Sequence, residues 1–214
     1  IISSWCNWEI SNYELIMWLN FFANRSYLDL TQYPVMPWVL EDYTDPLQKA
    51  SEEELPDYKY RDLSLPMGML TVFPESEVRK ELFVDLYDTM KAEQSPGEEP
   101  EMKPYVYGSH YSNPVYVANY LTRLFPFSHI AIELQGAGFD KADRLFCSIR
   151  TSFFNSATQK TDLRELIPEF YYLPEMFRNL NNLNLGIKEN NEQVHNVLTP
   201  CNDEPYEFVL TLRK

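Results

Sequence analysis

The chain has 214 residues, enough to bury a full hydrophobic core without a disulfide or metal staple. Hydrophobic residues make up 44 % and charged residues 23 %, which excludes a disordered tail, a collagen and a coiled coil. With 18 Lys and Arg against 32 Asp and Glu the formal charge is −14, so no nucleic-acid partner is expected and a general affinity for anionic lipid is disfavoured.

Cys6, Cys147 and Cys201 form no CxxC pair and leave one over, the pattern of reduced thiols in a cytosolic protein. His110, His129 and His195 do not recur at metal-ligand spacing. Gly136-Ala137-Gly138 lacks both the later glycine and the Lys-Ser/Thr pair of a phosphate loop. No cofactor or metal is therefore expected. The longest apolar run, residues 15–23 with Asn20 inside it, falls far short of the roughly 18 to 20 residues of a membrane span. No secretory signal stands at the start, and the opening Ile-Ile reads as part of a longer polypeptide. Aromatic content is high at 15 %, with 15 prolines and only 6 glycines. Prolines within hydrophobic stretches oppose long regular elements and predict extended, irregular segments buried among helices.

Ser11-Asn12-Tyr13-Glu14 is a capping box that opens the first helix, and Leu15, Trp18, Leu19 and Phe22 follow at helical spacing as its expected core stripe. In residues 33–43, Pro34 and Pro37 disfavour helix before them and predict an extended buried segment. Residues 45–58 read as an acidic loop. The next helix covers residues 75–91, with Val78, Leu82, Leu86 and Met90 on its apolar face. Residues 92–104 form a second acidic loop. Asn113-Pro114 is a cap and first helical position, with Val117, Leu121 and Leu124 facing inward. Asp140 is expected to cap a helix whose stripe is Ala142, Leu145, Phe146, Ile149 and Phe153. Asp162 with Glu165 caps a short helix that Pro168 stops, and residues 179–196 are loop with short turns.

Chemistry-bearing residues are few. In Tyr107-Gly108-Ser109-His110-Tyr111-Ser112, Ser109 as nucleophile and His110 as base would give a hydrolase, but the GxSxG elbow is absent. The alternative is that their side chains tie down the turn before Asn113. Asp140 with Asp143, or Glu165 with Glu169, are imaginable acid–base pairs. Asp140 is better explained as a helix cap, Asp143 and Arg144 as pairing with other charges, and the aromatics that a glycosidase would also need sit at helix-stripe and Pro-flanked positions that favour packing. Arg61-Asp62 is expected to anchor an extended segment whose carbonyls lack a ladder.

Seven stretches, in order, resemble the BEACH domain, the module shared by neurobeachin, the lysosomal trafficking regulator and the neutral-sphingomyelinase-activation-associated factor. They are Trp8-Glu9-Ile10-Ser11-Asn12-Tyr13-Glu14, Asn24-Arg25-Ser26-Tyr27, Gln32-Tyr33-Pro34-Val35-Met36-Pro37-Trp38-Val39-Leu40, Tyr60-Arg61-Asp62-Leu63-Ser64, Tyr107-Gly108-Ser109-His110-Tyr111-Ser112, Phe139-Asp140-Lys141-Ala142-Asp143-Arg144-Leu145-Phe146 and Glu165-Leu166-Ile167-Pro168-Glu169-Phe170-Tyr171-Tyr172-Leu173-Pro174-Glu175. Lys141 stands where the family has His, and Pro200-Cys201-Asn202 where it has Pro-Trp-Ala.

The resemblance implies a mainly α fold in which helices surround a core of extended, irregular segments, with little or no regular sheet. It implies one domain over residues 1–214, truncated before the family's C-terminal tryptophan-containing segment. It further implies a non-enzymatic scaffold, cytoplasmic and peripheral to intracellular membranes, within a large parent. There a PH-like domain precedes the module, a WD-repeat propeller follows it, and trafficking proteins dock. Lost neighbours should leave an exposed aromatic patch drawn from Trp5 and Trp8, residues 33–38, or residues 206–210.

Overall fold

Caps and prolines divide the chain into short helices joined by extended runs. The computed structural model describes residues 1–43, 60–94, 113–162, 164–201 and 203–213. Among them are α1 (Ile2–Cys6), α2 (Asn12–Phe22), α3 (Pro74–Ala92), α4 (Pro114–Tyr120), α5 (Phe127–Gln135), α6 (Ile149–Thr158) and α7 (Pro205–Arg213). Short 3₁₀ turns lie at Leu30–Gln32, Met67–Met69, Ala142–Arg144, Pro168–Tyr171 and Pro174–Phe177. Only isolated bridges pair extended chain among the described residues: Met36 with Leu166, Leu40 with Tyr60, Ser148 with Leu198 and Ile187 with Gln193. The fold is mainly α with little regular sheet.

The core is aromatic. Trp38, fully buried, packs against Tyr43 at 4.9 Å and Phe153 at 5.3 Å between ring centres. Phe170 stands 4.9 Å from Tyr120 and 5.4 Å from Phe177, which in turn meets Phe208 of α7 at 5.7 Å. Most of these contacts are tilted or edge-on, the arrangement favoured by the ring quadrupole. α3 lies on the Met67–Met69 turn and on α6, α4 on α5, and α7 on the two turns between Pro168 and Phe177.

Several helices were legible from their starts. Ser11 Oγ accepts from Glu14 N at 3.1 Å while a Glu14 oxygen accepts from Ser11 N at 2.8 Å, which completes the capping box. Asn113 accepts from Val115 N at 2.9 Å, with Pro114 at the first helical position. Their orientation is another matter. α2 turns Tyr13, Ile16, Met17 and Asn20 to the core, so the expected stripe of Trp18, Leu19 and Phe22 faces outward, with Leu15 only half-buried. α3 buries Ser76, Arg79 and Phe83, and of the expected stripe Val78, Leu82 and Leu86 are exposed while Met90 is half-buried.

The reason is polar. Asn20 brackets Val35, donating to its carbonyl and accepting from its amide, both at 2.8 Å. Ser76 Oγ donates to Ala157 O at 2.7 Å, and Arg79 donates to the carbonyls of Ser156 and Met67. A helix that is apolar on two sides docks by whichever side carries the groups that extended backbone needs.

The helix expected from Asp140 is broken. Asp140 pairs with Arg144 at 2.8 Å, and only a 3₁₀ turn follows at Ala142–Arg144. The next residues run extended beside Leu198, whose amide donates to Cys147 O at 2.8 Å and whose carbonyl accepts from Ile149 N at 3.0 Å. Ser148, not Asp140, caps α6, accepting from Thr151 N at 3.2 Å. The stripe residues Leu145, Phe146, Ile149 and Phe153 are nonetheless buried. Among the described residues of the expected helix, Asp162 and Arg164 to Ile167, none is helical, because Glu165 is recruited across the core and Leu166 pairs with Met36. Pro168 opens a 3₁₀ turn instead of stopping a helix. α1, α5 and α7 form where the sequence predicts no element, although α5 and α7 are clearly amphipathic.

The packing separates interior from exterior aromatics sharply. Phe170→Ala is expected to destabilise by about 3–5 kcal/mol, the cost of truncating a fully buried ring. Phe22→Ser, at a position 63 % exposed, should stay within about 0.5 kcal/mol of the parent in the same urea unfolding series.

Candidate interaction surface

α1, α2 and the turn between them build an apolar face from the first residues of the chain. Trp5 Nε1 donates to Asn12 Oδ1 at 2.8 Å, which ties α1 to the start of α2. Trp18, Phe21 and Phe22 then form an external cluster, with ring centres 5.9, 6.2 and 5.7 Å apart. Phe21 and Phe22 are each 63 % exposed, and Trp8 is 91 % exposed. Trp8 also holds a left-handed backbone, φ 60°, which costs a bulky residue about 1–2 kcal/mol. Residues 1–24 contain Glu9 and Glu14 and no basic residue.

Beneath this face lies a tyrosine cluster around a buried carboxylate. Tyr33 donates to Glu169 Oε1 at 2.6 Å. Tyr27 meets the Tyr33 ring edge-on at 5.4 Å, and Tyr13 packs on Tyr171 at 5.9 Å. Burial raises the Glu169 carboxyl above its ordinary range, partly offset by the Tyr33 and Tyr172 hydroxyls. Burial, with the neighbouring Glu169 charge, pushes Tyr172 up to about 12 and holds Tyr33 higher still.

A second polar tie sits deeper. Arg61 pairs with Glu165 at 2.9 Å, and both side chains are largely shielded from solvent. The same Glu165 oxygen accepts from Trp38 N at 3.0 Å, and Arg61 also donates to Leu65 O at 3.1 Å. Asp62 is not the partner of Arg61. It is exposed and accepts from the Ser64 hydroxyl and amide at 2.6 and 2.9 Å, which lowers its carboxyl.

The remaining residues singled out in the sequence fall into place around these ties. Tyr33, Pro34 and Trp38 are buried, not part of an exposed patch; Trp38 Nε1 donates to Arg164 O at 2.8 Å. Pro37 is half-buried, and its carbonyl accepts from Tyr171 at 3.0 Å. At the C-terminal end, Tyr206 is exposed but Phe208 and Val209 are core. Asp143 accepts from Glu189 N at 3.1 Å, so Asp140 and Asp143 are each committed to a different neighbour, as are Glu165 and Glu169. Ser11 and Asn12 belong to the α2 start, and Arg144 to the Asp140 pair. Tyr107, Gly108, Ser109, His110 and Tyr111 lie outside the described residues.

Several buried polar residues were not legible in the sequence, among them Asn20, Ser76, Arg79 and Arg123. Arg123 is fully buried and donates to His195 O at 2.7 Å and Phe146 O at 2.8 Å. Nothing in Thr-Arg-Leu-Phe marks it as interior. Among the described residues no three His, Cys, Asp or Glu side chains converge as a metal site, and no helix is long and apolar enough to cross a membrane.

The Beige/BEACH domain family model matches residues 3–214. The chain is 42 % identical over 196 residues to BEACH domain-containing protein B of Arabidopsis thaliana, covering 92 % of the chain and 7 % of that protein. It is 38 % identical over 212 residues to Beige protein homolog 1 of Saccharomyces cerevisiae, covering 98 % of the chain and 9 % of the relative. It is 39 % identical over 213 residues to a putative neurobeachin homolog of Caenorhabditis elegans, covering 99 % and 8 %. The chain thus spans less than a tenth of the length of these curated relatives, and it belongs to the BEACH family.

Two variants probe the polar ties. Arg61→Ala strands Glu165 in a shielded site and is expected to cost about 3–5 kcal/mol in chemical unfolding. Glu169 has a raised carboxyl, so the fold holds its proton more tightly than the unfolded chain does. The stability this contributes is fully present below the ordinary glutamate range and is lost as pH rises through the raised value. Glu169→Gln should therefore gain on the parent as pH is raised from about 4 towards neutrality, then run parallel to it. A constant difference across that range would show that Glu169 titrates normally.

Proposed function

We propose that this BEACH-family chain is a non-enzymatic docking module of a much longer protein, one that acts as a scaffold in vesicle trafficking, lysosomal or endosomal sorting and autophagy. On this reading a PH-like domain of the parent covers the α1–α2 face, and a downstream WD-repeat propeller and trafficking proteins complete the assembly. The observation that carries it is the outward cluster of Trp18, Phe21 and Phe22 on a helix whose opposite side is already satisfied by the core. Large exposed aromatics are the residues that dominate protein interfaces. The left-handed Trp8 adds to this, since backbone strain retained at an exposed indole points to a use for that side chain.

A protein surface fits this face better than an anionic bilayer does, because its only charges are carboxylates. Peripheral membrane association then belongs to the parent's other parts. Cys6, Cys147 and Cys201, kept as thiols, support a cytoplasmic setting. The non-catalytic reading is supported by the commitment of Asp140, Asp143, Glu165 and Glu169 to separate partners.

The test is binding between the chain and the PH-like domain of its parent, followed by calorimetry. Trp18→Ser or Phe21→Ser should weaken it by about 2–4 kcal/mol if these rings are central anchors, with the unfolding curve unchanged. Unaltered affinity in the combined Trp18→Ser, Phe21→Ser, Phe22→Ser variant would place the neighbour elsewhere.

A further inference from the structure

α3 carries a second apolar face, remote from α2 in the sequence. The helix opens with Pro74 at its first position and Glu75 and Glu77 in its first turn, and ends with Lys91 in its last. These placements suit the helix dipole and stabilise it locally. One side docks on the body of the protein through Ser76, Arg79 and Phe83. Beside that buried side run Val78, 62 % exposed, Leu82, 47 %, and Leu86, 41 %. Their spacing of four residues makes a seam about 12 Å long that winds about 40° per step, from the solvent side at Val78 toward the buried side at Leu86.

Charge is distributed asymmetrically about this seam. At about 100° per residue, Asp85 lies about 20° from Val78 on the solvent side, with Glu81 and Asp88 about 40–60° further round. Lys80 and Lys91 fall on the far side of the helix. Glu81, Asp85 and Asp88 are exposed, and none forms an ion pair among the described residues. An apolar seam whose solvent-side edge carries Glu81 and Asp85, with Asp88 further round, is complementary to a particular object: an amphipathic helix with aliphatic residues at i, i+4 and i+8 and Lys or Arg along one flank.

We infer that the Val78–Leu82–Leu86 seam of α3 docks a basic amphipathic helix of a partner protein. The acidic border disfavours an anionic bilayer. It also disfavours a second copy, which brings a second set of acids to the contact and in an antiparallel two-fold pairing sets Glu81 and Asp85 against their own equivalents. The inference stands on α3 alone and does not depend on what covers α2.

The probe is a short synthetic leucine–lysine peptide of helical periodicity, dye-labelled and titrated with the full 214-residue chain by fluorescence anisotropy. Binding should weaken at least about tenfold for Leu82→Ser with Leu86→Ser, and by a similar factor for Glu81→Lys with Asp85→Lys. It should weaken further as salt is raised. Phe21→Ser with Phe22→Ser should leave it intact, and a leucine–glutamate peptide should not bind.

Equal binding by all variants overturns the proposal, as does loss confined to the Phe21/Phe22 variant. Two other occupants are read out separately. Sedimentation with phosphatidylserine vesicles that is lost in the Leu82/Leu86 variant makes the seam a membrane face. A dimer in equilibrium sedimentation lost in the same variant makes it a self-contact. A fall in thermal midpoint for that variant makes it core. Any of the three overturns the inference.

Discussion

The Glu165 carboxylate is the point on which the interior depends. A fold of short helices around extended chain has few ladders, yet buried amides and carbonyls still need partners. Glu165 supplies them from the middle of the molecule, accepting from Trp38 N and pairing with Arg61, which reaches back to the carbonyl of Leu65. Met36 and Leu166 exchange both backbone hydrogen bonds at 2.8 Å immediately beside it. Three segments far apart in sequence thereby share one register, and the Trp38 indole is delivered to the centre of the aromatic core. A buried ion pair alone is weak evidence of stability, but one that also satisfies backbone on both sides fixes a unique arrangement.

The same economy recurs wherever extended chain meets helix. Asn20 stands in for a neighbouring strand at Val35, Tyr43 accepts the amides of Val39 and Leu40, and Arg123 gathers the carbonyls of Phe146 and His195. Side chains thus do here what cross-strand pairing does in a sheet. Each such residue must face inward whatever the apolar periodicity around it suggests. That requirement rotated α2 and α3 so that their greasier sides look outward.

This explains what was legible in the chain and what was not. Helix starts depend on neighbours within three residues of one another, so Ser11 with Glu14 and Asn113 with Pro114 announced α2 and α4. The extended run at residues 33–43 was legible because Pro34 and Pro37 constrain the backbone locally. Facing was not legible. Leu15, Trp18, Leu19 and Phe22 keep helical spacing as well as Tyr13, Ile16, Met17 and Asn20 do, and only the position of Val35 decides between them. The break after Asp140 was hidden for the same reason, since Leu198 lies about fifty residues downstream. Of the candidate surface, the aromatic surplus and the place of Trp5 and Trp8 could be read from composition. The outward cluster on α2 could not, because periodicity treats an interface and a core alike.

The two outward faces are therefore not defects of packing. The core closes without them, since α2 and α3 each contribute a complete inner side, and the largest rings of the interior are fully buried. An exposed apolar residue that the core does not need costs little to keep in the folded state, but it exposes the molecule to association. A charge of −14 opposes indiscriminate association between copies, and the acids bordering α3 do so locally. Selection for solubility alone would have made these helix faces polar. On the docking role proposed above, Trp18, Phe21 and Phe22 on one helix and Val78, Leu82 and Leu86 on another, under an acidic surface, are left for chosen neighbours to cover and for little else.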